Sequence, residues 1–209
     1  SLAVKQKSVA LSPQDAEAHN NLGNSLHELG RLGEAEASFK KAVVLKPDYA
    51  EAHYNLGNTL KKLGKLDGAA ASYQATIALR PDFAEAYNNL GNTLRESRSF
   101  EEAEASFRQA IALKPDFAEA HSNLGVTLKE LGELEKAKAS YRQAIALKRD
   151  FAEAHNNLGG TLRELGYLDE AEVSLRQAIA VRPDYAEAHR NLTTMVTFSS
   201  QDEPFYQMQ

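Results

Sequence analysis

The sequence predicts an all-α protein built from repeated pairs of helices. Pro13, Pro47, Pro81 and Pro115 are each 34 residues apart, and Pro183 lies two periods further on. Small and apolar residues recur within each period at spacings that place them on one face of a helix, which is typical of a helix with a buried side. Dividing the chain by this period gives five complete repeats, at 16–49, 50–83, 84–117, 118–151 and 152–185.

Each repeat contains signals for two helices, described here by positions 1 to 34. The first helix has its small and apolar residues at positions 1, 3, 7, 8, 10, 11 and 14, as in the segment 16–29. A glycine at position 15, such as Gly30, permits the left-handed turn that ends a helix. The second helix is expected from about position 18 to the proline, as in 34–46.

A glycine at position 8 recurs in the middle of the first helix, where it costs about 0.5–1 kcal/mol relative to alanine. The cost indicates close packing against a neighbour. We expect this neighbour to be the alanine at position 20, so that Gly23 faces Ala35 in the first complete repeat.

The two ends of the chain depart from the complete repeat. Residues 1–15 match the second helix of a truncated repeat, and 186–209 match the opening of a sixth repeat followed by a C-terminal capping segment. A half repeat at the N-terminus lacks the first helix that would cover it, so it is expected to expose apolar surface. A repeat array normally ends in polar surface. End-to-end self-association is therefore one candidate behaviour.

Small or aromatic residues at positions 4, 7, 8, 11, 20, 24 and 27, followed by proline at 32, resemble the tetratricopeptide repeat. The resemblance covers about nine-tenths of the chain and implies antiparallel helix pairs stacked into a right-handed superhelix with a concave surface. Three departures are Arg98 in place of glycine, Arg149 in place of proline and Leu175 in place of an aromatic residue. Position 4 holds histidine instead of a large aromatic residue at His19, His53, His121, His155 and His189.

Composition narrows the classes of function. The net charge of −5 disfavours nucleic acid as a partner. The absence of cysteine excludes disulfides and thiol chemistry. No apolar run reaches the roughly 18 residues of a membrane span, and the first residues do not form a signal-peptide core. We therefore expect a cytoplasmic protein with no membrane partner.

The sequence predicts neither an enzyme nor a cofactor site. The position-4 histidines recur once per repeat, and neighbouring helices lie about 8–10 Å apart, which is too far for bonds of about 2 Å to one metal ion. Glycines follow the repeat instead of clustering in a phosphate-binding loop. No catalytic or metal-binding residue is predicted.

The candidate binding residues are asparagines on the face of the first helices that points away from the packed side. An asparagine offers both a donor and an acceptor, as a peptide unit does. A row of them resembles the asparagine ladder of the repeat arrays of O-linked N-acetylglucosamine transferases, which implies a grip on the backbone of an extended peptide. Alternatively, these side chains bond between neighbouring helices or reflect duplication alone. The row consists of Asn21, Asn55, Asn89, Asn123, Asn157 and Asn191 at position 6, with Asn24, Asn58 and Asn92 at position 9.

These observations predict a protein–protein interaction scaffold that holds an extended polypeptide in the concave groove. One alternative is the substrate-recruiting arm of a larger transferase. A glycosyltransferase is suggested by the ladder, and a sulfotransferase by the segment 186–209, which resembles the exit from bacterial repeat arrays that precede such domains. The other alternative is a module that assembles end to end. The identity of the partner does not follow from the sequence.

Overall fold

The computed structural model of the chain describes residues 2–202, and the side chains of residues 2–195. The described residues form twelve α-helices and no strand, so the predicted all-α repeat fold is confirmed. None of these helices is both long enough and apolar enough to span a bilayer. The helices are α1 (Leu2–Leu11), α2 (Ala16–Glu28), α3 (Leu32–Leu45), α4 (Ala50–Lys62), α5 (Leu66–Leu79), α6 (Ala84–Glu96), α7 (Phe100–Leu113), α8 (Ala118–Glu130), α9 (Leu134–Leu147), α10 (Ala152–Glu164), α11 (Leu168–Val181) and α12 (Ala186–Asp202).

The chain divides into two compact halves, Ser1–Lys114 and Pro115–Gln209. In the N-terminal half, α2, α4 and α6 are the first helices of repeats 1 to 3, and each packs against the second helix that follows it. A connection of three residues, such as 29–31, forces each pair to run antiparallel. The core of this half includes Leu26, Phe39, Leu60 and Tyr73, all at most 5% exposed.

The C-terminal half repeats this arrangement with the pairs α8/α9 and α10/α11, followed by α12. Leu128, Tyr141, Leu162 and Leu175 are buried there. The opening of the predicted sixth repeat belongs to α12, which continues to Asp202 as one helix. The rest of the predicted capping segment, 203–209, lies outside the described residues.

The second helices begin at position 17 of each complete repeat, and α3 starts at Leu32, two residues before the predicted start at residue 34. The residue before Leu32, Arg31, makes no side-chain capping hydrogen bond. The start therefore carries no capping signal that a sequence pattern could reveal.

The residue at position 24 lies nearer to the position-8 glycines than the predicted alanine at position 20 does, although at Gly159 the carbonyl oxygen of that alanine, Ala171, lies 3.2 Å from an added Cβ. A Cβ placed on Gly23 would lie 2.7 Å from Cε1 of Phe39, and one on Gly125 would lie 2.7 Å from Cε1 of Tyr141. At Gly159 the nearest atom is Cγ of Leu175, also at 2.7 Å. The glycine is required because the ring or branched side chain of the second helix packs directly on the backbone of the first.

The turns between paired helices adopt the predicted left-handed conformation. Gly30, Gly64, Gly132 and Gly166 have φ angles between 72° and 83°. Arg98 occupies the same place with a φ of 63°, although its side chain disfavours this region. The departure at Arg98 therefore changes the residue without changing the turn.

The position-4 histidines anchor the turns that precede α2, α4, α8, α10 and α12. Their Nε2 atoms lie 2.8–3.0 Å from the carbonyl oxygen of the residue six positions earlier. A carbonyl oxygen can only accept, so Nε2 carries the proton in each case. The pairs are His19 with Pro13, His53 with Pro47, His121 with Pro115, His155 with Arg149 and His189 with Pro183.

Candidate functional site

Three of the position-6 asparagines, Asn55, Asn89 and Asn191, lie where the first helices of neighbouring repeats meet. Asn55 donates from Nδ2 to Oδ1 of Asn20 at 3.2 Å. Asn191 donates in the same way to Asn156 at 2.9 Å. Each of these bonds joins position 6 of one repeat to position 5 of the repeat before it. The contacts are those expected of asparagines that bond between neighbouring helices.

The acceptors at position 5 are buried amides that the sequence analysis did not single out. Asn20 is 1% exposed and Asn156 is 2% exposed. Asn20 also donates to the hydroxyl of Tyr49 at 3.2 Å, and Asn156 donates to Oε1 of Glu187 at 3.3 Å. The available signal was a second asparagine directly before the ladder residue, as in Asn20–Asn21 and Asn156–Asn157.

The other predicted asparagines have varied surroundings. Asn21 is exposed, whereas Asn24 and Asn123 are partly buried. Asn157 accepts a hydrogen bond from Nδ2 of Asn156 at 3.5 Å. Asn92 accepts one from Nη2 of Arg95 at 3.1 Å.

Asn58 and Asn89 are brought together directly, in a network with two tyrosines. Asn89 donates from Nδ2 to Oδ1 of Asn58 at 3.1 Å and to the hydroxyl of Tyr54 at 3.0 Å. The hydroxyl of Tyr73 donates to the same Asn58 oxygen at 2.7 Å. Burial raises the pKa of both Tyr54 and Tyr73, so these phenols remain protonated at neutral pH.

Asn58, Asn89 and Tyr73 of this network line a cavity of about 540 Å³ in the N-terminal half. Amide and hydroxyl groups supply polar atoms to its lining, and charged side chains line it as well. Such a surface can hydrogen-bond a peptide unit and can also attract a charged group. The lining residues are His27, Asn58, Lys61, Lys62, Tyr73, Asn89 and Glu96.

His27 has a defined tautomer at the edge of this cavity. Its Nδ1 lies 2.8 Å from Oγ1 of Thr59, whose hydroxyl donates to the carbonyl oxygen of Asn55 at 2.8 Å. Because the hydroxyl proton is already used, Nδ1 of His27 donates to Thr59. Burial, followed by the charge of Lys62, lowers the pKa of His27, so the neutral ring predominates at neutral pH.

In repeats 3 to 5, the glutamates at position 2 are neutralised by cations at position 31 of the same repeat. Glu85 lies 3.1 Å from Nζ of Lys114, and Glu119 lies 3.4 Å from Nζ of Lys148. Glu153 is paired with Arg182. The acidic row along the first helices is therefore compensated in these repeats. Among the described residues, no group of three or more histidines and carboxylates is arranged to hold a metal ion.

Four family profiles match the chain and together extend from residue 6 to residue 185. Profiles described as tetratricopeptide repeat match 6–37, 54–116, 89–145 and 152–185. A profile described as TPR repeat matches 23–64 and 127–166. No curated protein sequence matches the chain significantly.

Several crystal structures share the fold. YrrB, described as "a TPR protein with an unusual peptide-binding site", has a TM-score of 0.75 and 23% identity over 91% of this chain and 98% of its own. MamA has a TM-score of 0.74 and 27% identity over 79% of this chain and 97% of its own. A thermophilic TPR protein of Thermus thermophilus, TTC0263, has a TM-score of 0.65 and 27% identity over 88% of this chain and 100% of its own. From the 34-residue period, the helix pairs and these matches, the chain belongs to the tetratricopeptide repeat family.

Proposed function

We propose that this chain is a protein-interaction scaffold that binds an extended segment of another polypeptide along its first helices. The observation that carries the proposal is the cavity of the N-terminal half, in which Asn58 and Asn89 lie beside cationic side chains. YrrB, which shares the fold, is described as having a peptide-binding site. The same class of ligand is proposed for this chain because of the chemistry of its own cavity.

The surface fits a peptide better than a nucleic acid or a reaction centre. Amide side chains complement the donors and acceptors of a peptide backbone. The chain is acidic overall, which opposes association with phosphate backbones. Its position-4 histidines each hydrogen-bond a backbone carbonyl, as described above, and thereby act in the fold. We propose no catalytic role for them.

The predicted ladder is divided between two roles in this proposal. Asn55 and Asn191 hold neighbouring repeats together through position 5, so they support the surface. Asn24 and Asn92, at position 9, are partly exposed on the same helices and are proposed to contact the peptide. In this proposal, asparagine recurs at position 6 because it holds neighbouring repeats together. The asparagines at position 9 bind the ligand.

The test is selection of a displayed random-peptide library on the purified chain, followed by affinity measurements on the enriched peptides by fluorescence anisotropy. The double variant Asn24→Ala/Asn92→Ala removes two amides from the first helices. The control Gln74→Ala/Gln109→Ala removes two exposed amides from second helices of the same half. We expect the first variant to bind about tenfold more weakly, since each lost hydrogen bond contributes about 0.5–1.5 kcal/mol, and the control to bind like the original chain.

Two outcomes would contradict the proposal. Equal binding by both double variants would move the peptide away from the position-9 row. Failure of the library to yield any peptide that binds the original chain would count against peptide binding itself.

One observation favours end-to-end association as a second candidate. Helix α1 buries none of its residues, and Val4 and Leu11 are 66% and 76% exposed. Sedimentation velocity over a range of concentrations tests this directly. Association that Val4→Lys/Leu11→Lys abolishes would support it, and a monomer at all concentrations would remove it.

A further inference from the structure

One row of charges on the first helices is paired in the C-terminal half. Nζ of Lys129, at position 12 of repeat 4, lies 2.7 Å from Oε1 of Glu164, at position 13 of repeat 5. A cation on one first helix is thus neutralised by an acid on the next. Position 13 is glutamate in every complete repeat except the second, where Lys62 stands.

In the N-terminal half, this exception places the cation Lys62 opposite His27, a side chain that can itself become positively charged. The positions that hold Lys129 and Glu164 are occupied here by His27 and Lys62. The positive charge of Lys62 affects the imidazole of His27. After burial, it is the next largest influence that lowers the pKa of His27. The neighbouring Glu28 opposes this only in part.

The next two residues in the same row, Lys61 and Glu96, have opposite charges but do not form an ion pair. Within the described residues, no ion pair of 4.0 Å or less involves Lys61. Burial lowers the pKa of Lys61, and the charge of Glu96 does not restore it, with Arg95 acting in the same direction as burial. The ammonium group is therefore partly desolvated without a compensating carboxylate in contact.

These groups surround one cavity. His27, Lys61 and Lys62 line the same cavity as Asn58 and Asn89, with Glu96 as the one carboxylate among the lining side chains. The local surface is thus cationic, although the whole chain carries a net charge of −5. An anion placed there could accept hydrogen bonds from the two ammonium groups and lie beside the amides of Asn58 and Asn89. Charge-assisted hydrogen bonds are stronger than neutral ones.

We propose that the cavity lined by His27, Lys61 and Lys62 is a subsite for the carboxylate of an acidic side chain on the bound polypeptide. The inference rests on the proposed function, since it assigns a specificity to the same surface. The asparagines bind the backbone without regard to sequence, and this subsite selects peptides with an aspartate or glutamate at one position. A phosphorylated side chain offers the same chemistry and is an arm of the test.

A charge reversal at one residue gives a sharp test. Lys62→Glu places at position 13 the acid that the other complete repeats have, and Lys62 is exposed, so the fold should tolerate the change. Lys41→Glu is the matched control, because it changes the net charge by the same amount at an exposed position on α3. Thermal melting of both variants confirms that each is folded before binding is measured.

The original chain and both variants are used to select the same displayed random-peptide library, and enriched peptides are resynthesised. Three forms of each peptide are compared by fluorescence anisotropy, with the acidic residue unchanged, replaced by its amide, or replaced by phosphoserine. We expect the original chain and Lys41→Glu to enrich an acidic residue at one position and to bind the amide form about tenfold more weakly. Lys62→Glu should lose this preference while retaining affinity for the amide form.

Three results would overturn the inference. Peptides that bind the original chain without acidic enrichment would leave the proposed function intact and remove the subsite. Enrichment of acidic residues by all three proteins would place the anion elsewhere. The absence of any peptide that binds the original chain would remove both the function and the subsite. Tighter binding of the phosphoserine form that Lys62→Glu abolishes would support the subsite and identify phosphate as the stronger ligand.

Discussion

Nδ2 of Asn55 donates a hydrogen bond to Oδ1 of Asn20 at 3.2 Å, across the junction of repeats 1 and 2. Asn20 is 1% exposed, so water has little access to the oxygen if this donor is removed. A buried acceptor left without a donor costs about 1–3 kcal/mol. The residue that suggested a peptide ladder from the sequence is therefore also a structural link.

Asn55→Ala is expected to lower the free energy of unfolding by about 1–2 kcal/mol, because Asn20 would lose its donor from the next repeat. Asn21→Ala is the matched control at the same position of repeat 1, where the side chain is exposed, and should change stability by less than about 0.5 kcal/mol. Urea denaturation followed by circular dichroism measures both. Equal stabilities of the two variants would show that the Asn55–Asn20 bond contributes little.

Gly125→Ala should destabilise the chain by about 1–3 kcal/mol. The added Cβ would lie 2.7 Å from the ring of Tyr141, and this ring is buried against the helix backbone. Gly33→Ala has no atom within 4 Å of the added Cβ, so it should leave stability unchanged or raise it by about 0.5 kcal/mol. If the two substitutions had similar effects on the melting temperature, close ring packing would not explain the position-8 glycine.

Arg98→Gly is expected to raise the free energy of unfolding. Arg98 has a φ of 63°, and a left-handed conformation costs a residue with a Cβ about 1–2 kcal/mol. The greater freedom of glycine in the unfolded chain offsets part of this gain, which leaves about 0.5–1 kcal/mol. Chemical denaturation of the variant beside Gly30→Ala, which makes the reverse change at a φ of 73°, should give shifts of opposite sign.

Arg149→Pro should raise stability by about 0.4–1 kcal/mol, because proline restricts the unfolded chain. The preceding residue, Lys148, has φ −138° and ψ 94°. A proline disfavours the α-helical region for the residue before it, and Lys114 before Pro115 has nearly the same angles as Lys148. A melting temperature that is unchanged or lower in the variant would contradict the prediction.

The pKa of His27 should lie below its ordinary value of 6.5, with burial as the main cause and Lys62 as the second. The unfolded chain then binds a proton at this residue more readily than the folded chain does. Stability is thus expected to fall as the pH decreases through 6.5 toward the folded-state pKa.

An NMR titration of the His27 ring measures this pKa directly, and Lys62→Glu should raise it. His27→Gln should reduce the pH dependence of unfolding in the same range. A ring that titrates at or above 6.5 in the original chain would show that burial and Lys62 do not control it.

The sequence was sufficient for the fold because the signals for helices and turns repeat five times. Small residues on one face, a glycine at position 15 and a proline at position 32 each act within a few residues of the chain. The position-24 ring against the position-8 glycine was not predicted, because it depends on the direction in which a side chain leaves the second helix. The start of α3 at Leu32 was missed because Arg31 makes no side-chain cap.

The candidate surface was predicted only in part. Periodicity placed Asn55, Asn58 and Asn89 on the correct helices, yet their hydrogen bonds depend on the stagger between neighbouring first helices. That stagger brings position 6 of one repeat to position 5 of the preceding one, and no spacing within a single repeat contains this information. The sequence shows that Lys62 replaces a glutamate. Only the ion pair between Lys129 and Glu164 shows that this position faces position 12 of the preceding repeat.

The link between positions 5 and 6 also bears on how such a chain can change in length. Asparagine occupies position 6 of every repeat, and at Asn55, Asn89 and Asn191 it donates to the repeat before it. The acceptor at position 5 varies, and the Asn20 and Asn156 amides and the Tyr54 hydroxyl all receive that donor. A gene duplication or an unequal crossover that adds or removes one period would therefore create a junction whose polar groups already match. At such a junction a change in the number of repeats would need no new polar contact between neighbouring first helices.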